Sequence, residues 1–130
     1  MTYSDNIRAF RGGVIANPYQ GKDKKVVFIC SMGLLRSATG ARLYASKYNT
    51  RTAGTWHDAL VPLTETLILW ADELVFVNKD NYDQIIRRYE DDEGLLSVIK
   101  HNSKVLNIPD HFEHMDPRLC QAFKEQYEPI

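Results

Sequence analysis

The segment of residues 24–30 limits the possible folds most strongly. Two lysines are followed by Val-Val-Phe-Ile-Cys, an unbroken apolar run without the alternation of a half-exposed strand. Such a run is typical of a strand buried on both faces, as parallel strands are. After a short segment that contains glycine, residues 37–48 carry helix-forming residues with apolar side chains at helical spacing. This part of the chain therefore predicts a central strand, a tight loop and a helix.

The same alternation repeats along the chain. Residues 51–55, 73–77 and 104–108 have the composition of strands. The intervening residues 60–71 and 80–88 have helical patterns, the first with Pro62 in its opening turn and the second capped by Asp80 or Asn81. The acidic run of residues 90–94 is interpreted as a solvated turn, and Asp116 and Pro117 open a last helix that ends near Gln126.

Strands that alternate with helices predict a three-layer α/β fold. Four parallel strands form the sheet, and helices cover both of its faces. Ligands of such sheets bind beyond the carboxyl ends of the strands. Cys30, Gly54, Asn78 and Asp110 all fall at or just after a predicted strand end, so we expect the functional site at this edge.

Size and charge narrow the class further. The chain has 130 residues, enough for one domain, and 16 basic residues against 17 acidic ones give a net charge of -1. No overall positive field favours nucleic acid or an anionic membrane, so phosphate recognition must be local. No apolar run approaches the roughly 18 residues of a membrane helix, and no secretory signal is evident. We expect a cytoplasmic protein with an irregular N-terminal arm, residues 1–23, and a single domain, residues 24–130.

Residues 30–37, Cys-Ser-Met-Gly-Leu-Leu-Arg-Ser, carry the pattern with the most chemical meaning. A loop between strand and helix can point backbone N–H groups at a tetrahedral phosphoryl group, aided by the positive end of the helix. Arg36 would clamp two phosphoryl oxygens. The N–H groups and Ser37 would favour the thiolate of Cys30, making it a nucleophile. The alternative is a buried structural cysteine with a surface arginine, but the strand-loop-helix context favours the phosphate loop.

These residues resemble the low-molecular-weight protein tyrosine phosphatase family. The resemblance rests on residues 27–30 running into 36–39, on Thr-Ala-Gly-Thr at 52–55 and on Ile-Pro-Asp at 108–110, in the family's order. It implies a flavodoxin-like sheet with strand order 2-1-3-4. It also implies hydrolysis of a phosphomonoester through a phosphocysteine intermediate, without a metal or other cofactor.

The resemblance also implies individual roles. Cys30 is the expected nucleophile, Arg36 the phosphate clamp, Ser37 the stabiliser of the thiolate and Asp110 the general acid. An acid is needed because the leaving oxygen must be protonated, and the same carboxylate can then activate the hydrolytic water. Asp116 is the second candidate for the acid, although its place before Pro117 is that of a helix cap.

The loop departs from the family pattern at three positions. Met32, Gly33 and Leu35 stand where family members usually carry glycine, asparagine and a second cysteine. Gly33 is an intelligible exchange, since glycine and asparagine both adopt a left-handed backbone readily. Because position 35 is leucine, the loop lacks the second thiol that could protect an oxidised Cys30 by forming a disulfide. Together with Ser31 and Leu34, these residues complete the expected phosphate-binding loop.

Aromatic and histidine residues near the site have two interpretations each. Trp56 and Phe112 are expected to wall the substrate cleft, where an aromatic ring can stack on a flat leaving group, and ordinary packing is the alternative. His57, beside Trp56, is a weaker candidate for the same role. His111 and His114 lie near two aspartates, but their spacing fits poorly with a dedicated zinc motif, so we expect no metal.

The sequence therefore favours a cysteine-dependent phosphatase, which we expect to act as a monomer. The resemblance implies a phosphotyrosine protein as its substrate, and a small aryl or nucleotide phosphate remains an alternative. A binding module that holds a phosphorylated partner without hydrolysis is one alternative, motivated by the altered loop. An arsenate reductase is another. It would need further cysteines to resolve its intermediate as a disulfide, and only Cys120, predicted to be a core thiol, is present besides Cys30.

Overall fold

The computed structural model describes residues 23–130. The predicted N-terminal arm, residues 1–23, lies outside the described residues apart from Asp23. Strands and helices alternate through the described part of the chain. Their order is β1 Lys25–Cys30, α1 Arg36–Leu43, β2 Asn49–Gly54, α2 Glu65–Trp70, β3 Glu73–Phe76, α3 Lys79–Arg88, α4 Glu93–Asn102, β4 Ser103–Val105 and α5 Pro117–Gln126.

The four strands form one parallel sheet in the order β2-β1-β3-β4. This confirms the predicted three-layer α/β class and the flavodoxin-like order 2-1-3-4. The register pairs Cys30 with Gly54 at the carboxyl ends of β1 and β2. Because β1 lies at the centre of the sheet, its carboxyl end is flanked by strands on both sides, and the loop that follows it opens at the middle of this edge.

Both faces of β1 are buried, which explains its unbroken apolar sequence. Val26 and Phe28 point into a core shared with α1 and α5, whereas Val27 and Ile29 point into a second core shared with α2, α3 and α4. Side chains of successive strand residues lie on opposite faces of a sheet. Each large apolar side chain that is fully buried contributes roughly 1.5–3 kcal/mol relative to an exposed one.

The predicted helix over residues 60–71 is wrong in its first half. The helix begins only at Glu65, where the Thr64 side chain accepts a hydrogen bond from the Leu67 N–H at 3.2 Å. Pro62 is therefore not in a helical turn. It forms an isolated parallel bridge with Gly54, whose N–H donates to the Val61 carbonyl at 2.8 Å. These backbone bonds hold the preceding segment extended against the end of β2.

The predicted turn over residues 90–94 is also wrong in part. Asp92 caps α4, since its side chain accepts a hydrogen bond from the Leu95 N–H at 3.1 Å. Leu95 and Ile99, one helical turn apart, are buried in the core on that face of the sheet. An acidic run is typical of a solvated connection, so the sequence pattern predicts no helix here. The same charges supply the cap and first turn of α4.

Smaller differences concern element ends. The helix α1 ends at Leu43 rather than near Tyr48, and β4 ends at Val105 although Ile108 is still fully buried. The Ile108 N–H donates to the Val77 carbonyl at 2.9 Å, so the chain beyond β4 continues to pair loosely with the end of β3. Within residues 23–130 no helix is long and apolar enough to cross a membrane.

Candidate active site

The loop between β1 and α1 lies at the carboxyl edge of the sheet, as predicted. Gly33 adopts a φ of 79°, a left-handed conformation that side chains with a Cβ rarely take. A Cβ at this position would also lie 2.9 Å from the Ala53 carbonyl carbon. Leu35 occupies the N-cap position of α1, and no side chain caps this helix. The free N–H groups of the first helical turn are therefore available to an anion.

The Cys30 thiol lies at the base of this loop, and the residue is 3% exposed. Its Sγ atom is 3.0 Å from Ser37 Oγ and 3.2 Å from the Gly33 nitrogen, which donates to it. Ser37, which is buried, is in turn 2.5 Å from Thr52 Oγ1, and this hydroxyl donates to the Gly33 carbonyl at 3.1 Å. The Cys30 thiol and the hydroxyls of Ser37 and Thr52 thus form a continuous chain of hydrogen bonds, which ends at the Gly33 carbonyl in the loop.

Arg36 joins the loop to the segment after β4. The residue is 4% exposed, although its guanidinium is charged. Its Nη1 donates to the Ile108 carbonyl at 2.9 Å, and its Nη2 lies 3.4 Å from Ser31 Oγ. A buried guanidinium requires partners for its fixed fork of donors. These contacts hold its orientation while N–H groups remain for a ligand.

The two candidate acids lie in different surroundings. Asp110 Oδ1 is 3.5 Å from Arg36 Nε, and its side chain is 67% exposed. Asp116 instead caps α5 by accepting the Arg118 N–H at 2.8 Å, and it pairs with Arg118 Nη2 at 2.9 Å. The hydrogen bonds from Arg118 hold the pKa of the Asp116 carboxyl below its usual value. The structure thus brings Asp110 to the loop and gives Asp116 the capping contacts expected of its sequence.

The predicted walls of the cleft differ in their contacts. The Trp56 backbone N–H donates to the Ser31 carbonyl at 3.0 Å, so this residue lies beside the loop, and it is 47% exposed. Phe112 is half-buried against the core, and the Arg118 guanidinium lies 5.3 Å from its ring centroid. Of the other loop residues, Leu34 and Leu35 are exposed, whereas Met32 is half-buried.

Asn81 lies at the site although the sequence pattern does not predict it there. We expected Asp80 or Asn81 to cap α3, but the cap is Asn78, whose side chain accepts the Asp80 N–H at 3.0 Å. Asn81 is 2% exposed, and its Nδ2 donates to Ser31 Oγ at 3.2 Å and to Thr55 Oγ1 at 3.1 Å. The sequence feature that could have indicated this role is its position three residues after the cap residue Asn78, on the face of α3 that contacts the carboxyl edge of the sheet.

The histidines and the second cysteine are engaged elsewhere. His114 Nδ1 lies 3.4 Å from Thr39 Oγ1, and the His111 ring packs on Phe112 with centroids 4.2 Å apart. In the part of the chain that the structure describes, no group of three or more potential ligands could hold a metal ion. Cys120 is half-buried rather than fully buried, with Sγ 3.8 Å from the Met115 carbonyl, and both cysteines are free thiols.

The fold and the loop together define a small parallel α/β protein with a buried cysteine and arginine at the carboxyl edge of its sheet. Solved structures of phosphatases share this fold. The YwlE arginine phosphatase from Geobacillus stearothermophilus is 16% identical, with a TM-score of 0.57 over 79% of this chain and 85% of its own. The tyrosine phosphatase Wzb from Escherichia coli K30, in complex with phosphate, is 19% identical, with a TM-score of 0.57 over 79% and 95%.

A third similar structure is a cysteine-to-serine mutant of the YwlE arginine phosphatase with a phosphorylated active-site serine. It is 17% identical, with a TM-score of 0.56 over 78% of this chain and 88% of its own. No protein-family model and no curated protein sequence matches the chain. Because the solved phosphatase structures share the fold of this chain, the resemblance to the low-molecular-weight phosphatases is confirmed at the level of the fold.

Proposed function

We propose that this protein is a cysteine-dependent phosphatase that hydrolyses a phosphomonoester without a metal. The observation that carries the proposal is the Cys30 thiol at the base of a backbone-lined loop that leads into the buried Arg36. The Gly33 N–H already donates to Cys30 Sγ, and the Ser37 hydroxyl, 3.0 Å away, would donate to the thiolate once Thr52 turns its proton from the Gly33 carbonyl to Ser37. The free N–H groups of α1 and the guanidinium would hold the phosphoryl oxygens.

The proposed reaction has two steps. The Cys30 thiolate attacks phosphorus, an S–P bond forms, and the P–O bond to the leaving group breaks while Asp110 donates a proton to the leaving oxygen. Asp110 then accepts a proton from water as the water oxygen attacks phosphorus. The S–P bond breaks and the thiolate returns with release of inorganic phosphate. The phosphorylated active-site serine in the YwlE mutant supports a covalent intermediate of this kind on the shared fold.

The substrate class is proposed on the resemblance and the similar structures. Phosphotyrosine in a protein is the first candidate. Phosphoarginine is a second because the YwlE structures are those of an arginine phosphatase, and there the P–N bond would break and Asp110 would protonate the leaving nitrogen. Small aryl or nucleotide phosphates would fit the same chemistry. The exposed Trp56 ring beside the loop supports a flat leaving group, since an aromatic side chain can stack on it.

The experiment that tests the proposal is release of p-nitrophenol from p-nitrophenyl phosphate by the wild-type protein and by Cys30→Ser, without added metal. We expect the substitution to lower kcat at least about 10³-fold, because it removes the nucleophile. Rapid quenching of Asp110→Ala should trap a phosphoenzyme, which is absent from Cys30→Ala. Unchanged turnover in Cys30→Ser would refute the covalent mechanism.

A non-catalytic phosphate-binding module is the second candidate. It is favoured by Met32 in the loop and by the long contact of 3.5 Å between the Asp110 carboxyl and Arg36 Nε. Calorimetry with a phosphotyrosyl peptide separates the two functions. A stable complex with no release of inorganic phosphate would support the module, and phosphate release would support the enzyme.

A further inference from the structure

A cleft of about 510 Å³ opens beside the phosphate loop, between the turn after β2 and the last two turns of α3. None of the roles proposed above uses this space, apart from the Trp56 ring at its border. The residues that line this cleft, which we call the arginine cleft, are Thr55, Trp56, His57, Asp58, Gln84, Arg87 and Arg88.

The floor of the arginine cleft is tied directly to the phosphate loop through Thr55. The Thr55 N–H donates to the Cys30 carbonyl at 2.8 Å, and its hydroxyl donates to Gln84 Oε1 at 2.5 Å. Arg88 donates to the Thr55 carbonyl. Asn81, which also contacts Ser31 in the loop, donates to the Thr55 hydroxyl. A group bound in the cleft therefore lies next to the proposed phosphoryl site on a surface fixed by hydrogen bonds.

The charge of the arginine cleft is positive, in contrast to the net charge of -1 of the chain. Gln84, Arg87 and Arg88 stand at i, i+3 and i+4, so they share one face of α3. The Arg87 side chain is exposed, and one N–H group of Arg88 is held by Thr55. Asp58 is the single carboxylate among the lining residues. Two guanidinium groups against one carboxylate favour an anionic ligand.

We propose that the arginine cleft binds an acidic side chain that neighbours the phosphorylated residue in a peptide substrate. The proposal rests on the phosphatase function proposed above, and it narrows the substrate class to acidic phosphopeptides. Trp56 lies at the border of the two sites, because its N–H bonds the Ser31 carbonyl while its side chain lines the cleft. A peptide that places its phosphoryl group in the loop would thus pass Trp56 to reach the guanidinium groups.

The test compares phosphotyrosyl peptides that differ only in carrying Glu or Gln at the positions flanking the phosphotyrosine. We expect wild-type protein to prefer the Glu peptide by about 2- to 5-fold in kcat/KM at low salt, the range of exposed charge pairs. Arg87→Gln should bring the ratio close to one, and Arg87→Glu should reverse it. Because the contact is exposed, raising the salt concentration should shrink the preference.

Arg42→Gln is the matched control. Arg42 is an exposed arginine on α1, which packs on the opposite face of the sheet from α3, so its substitution removes the same charge and should leave the Glu preference intact. p-Nitrophenyl phosphate, which lacks any flanking group, reports the phosphatase function separately. Equal kcat/KM for both peptides, or a Glu preference that persists in Arg87→Glu, would refute the proposal that the arginine cleft binds an acidic side chain. Hydrolysis of the aryl phosphate in the same experiment would still support the phosphatase function.

If neither the aryl phosphate nor the peptides are hydrolysed, the proposed phosphatase function fails, and calorimetry with the same peptides decides the cleft alone. Tighter binding of the Glu peptide that is lost in Arg87→Gln would support it. Equal affinities, or no binding of either peptide, would overturn it.

Discussion

At the scale of single residues, the site separates buried groups from exposed ones. Cys30, Arg36 and Ser37 are each less than 5% exposed and hydrogen-bonded, whereas Asp110 stands at the opening with its carboxyl largely in solvent. Holding an anion requires fixed donors, and a group that exchanges protons with a leaving group and with water must be reachable from outside. The difference in exposure therefore agrees with the roles proposed for these residues.

The first prediction distinguishes the two candidate acids. Asp110→Asn removes the proposed proton donor, so kcat for an aryl phosphate with a poor leaving group should fall about 10²- to 10⁴-fold. Asp116→Asn should retain activity, because asparagine caps a helix about as well as aspartate does. Steady-state kinetics on both variants checks this. The opposite ranking would transfer the acid role to Asp116.

At the scale of elements, the turn at the end of β2 is as important as the phosphate loop itself. Gly54 pairs with Cys30, and a Cβ at Gly54 would come within 2.6 Å of the Met32 carbonyl carbon and of Ala59 Cβ. Neither the loop backbone nor Ala59 has a flexible end that could move away. The loop can keep its curvature only while the neighbouring strand ends in glycine.

The second prediction tests this packing. Gly54→Ala should destabilise the protein by about 1–3 kcal/mol, the range of overpacked sites, and should lower phosphatase activity together with phosphate affinity. Gly94→Ala is the control, because a Cβ at Gly94 meets nothing closer than 3.8 Å and alanine is the better helix former. Urea unfolding of both variants measures the difference. Equal stabilities would mean that the loop relaxes around the added methyl group.

The elements also show how far sequence patterns reach. The parallel sheet and the position of the loop followed from apolar runs and one local motif, because burial on both faces leaves a strong signal. The strand order followed from the family resemblance instead. The extended segment around Pro62 and the contacts of Asn81 were not predicted. Both depend on hydrogen bonds to a strand end or loop outside the segment itself, and the local apolar pattern does not encode those bonds. The start of α4 was missed because a capping aspartate within an acidic run looks like a solvated turn.

At the scale of the whole molecule, the C-terminal segment is anchored to the end of α1. Tyr44, fully buried, donates its hydroxyl to the Glu128 carbonyl at 2.6 Å. The Glu128 carboxylate accepts hydrogen bonds from Lys47 Nζ and the Tyr48 hydroxyl, both at 2.7 Å. Burial alone would raise the pKa of Glu128, but these hydrogen bonds outweigh it and leave the pKa below 4.5.

The third prediction follows from this pKa. A carboxyl whose pKa is lower in the folded state contributes stability above its unfolded pKa, near 4.5, and loses it as the pH falls through the folded value. Glu128→Gln should therefore unfold at a lower urea concentration than wild type at pH 7. The two midpoints should converge as the pH falls through the lowered folded-state pKa of Glu128. A gap that persists at acid pH would show that the variant perturbs packing rather than the charge interaction.

The exposed rim of the loop has a consequence for how such a chain changes over evolutionary time. Leu34, Leu35 and Trp56 are 43–47% exposed, unlike the residues beneath them. Exchanges at exposed positions usually alter stability by less than about 0.5 kcal/mol. In the proposed phosphatase, point mutations at the rim can therefore change substrate preference while the buried residues beneath, and with them the proposed chemistry, stay the same.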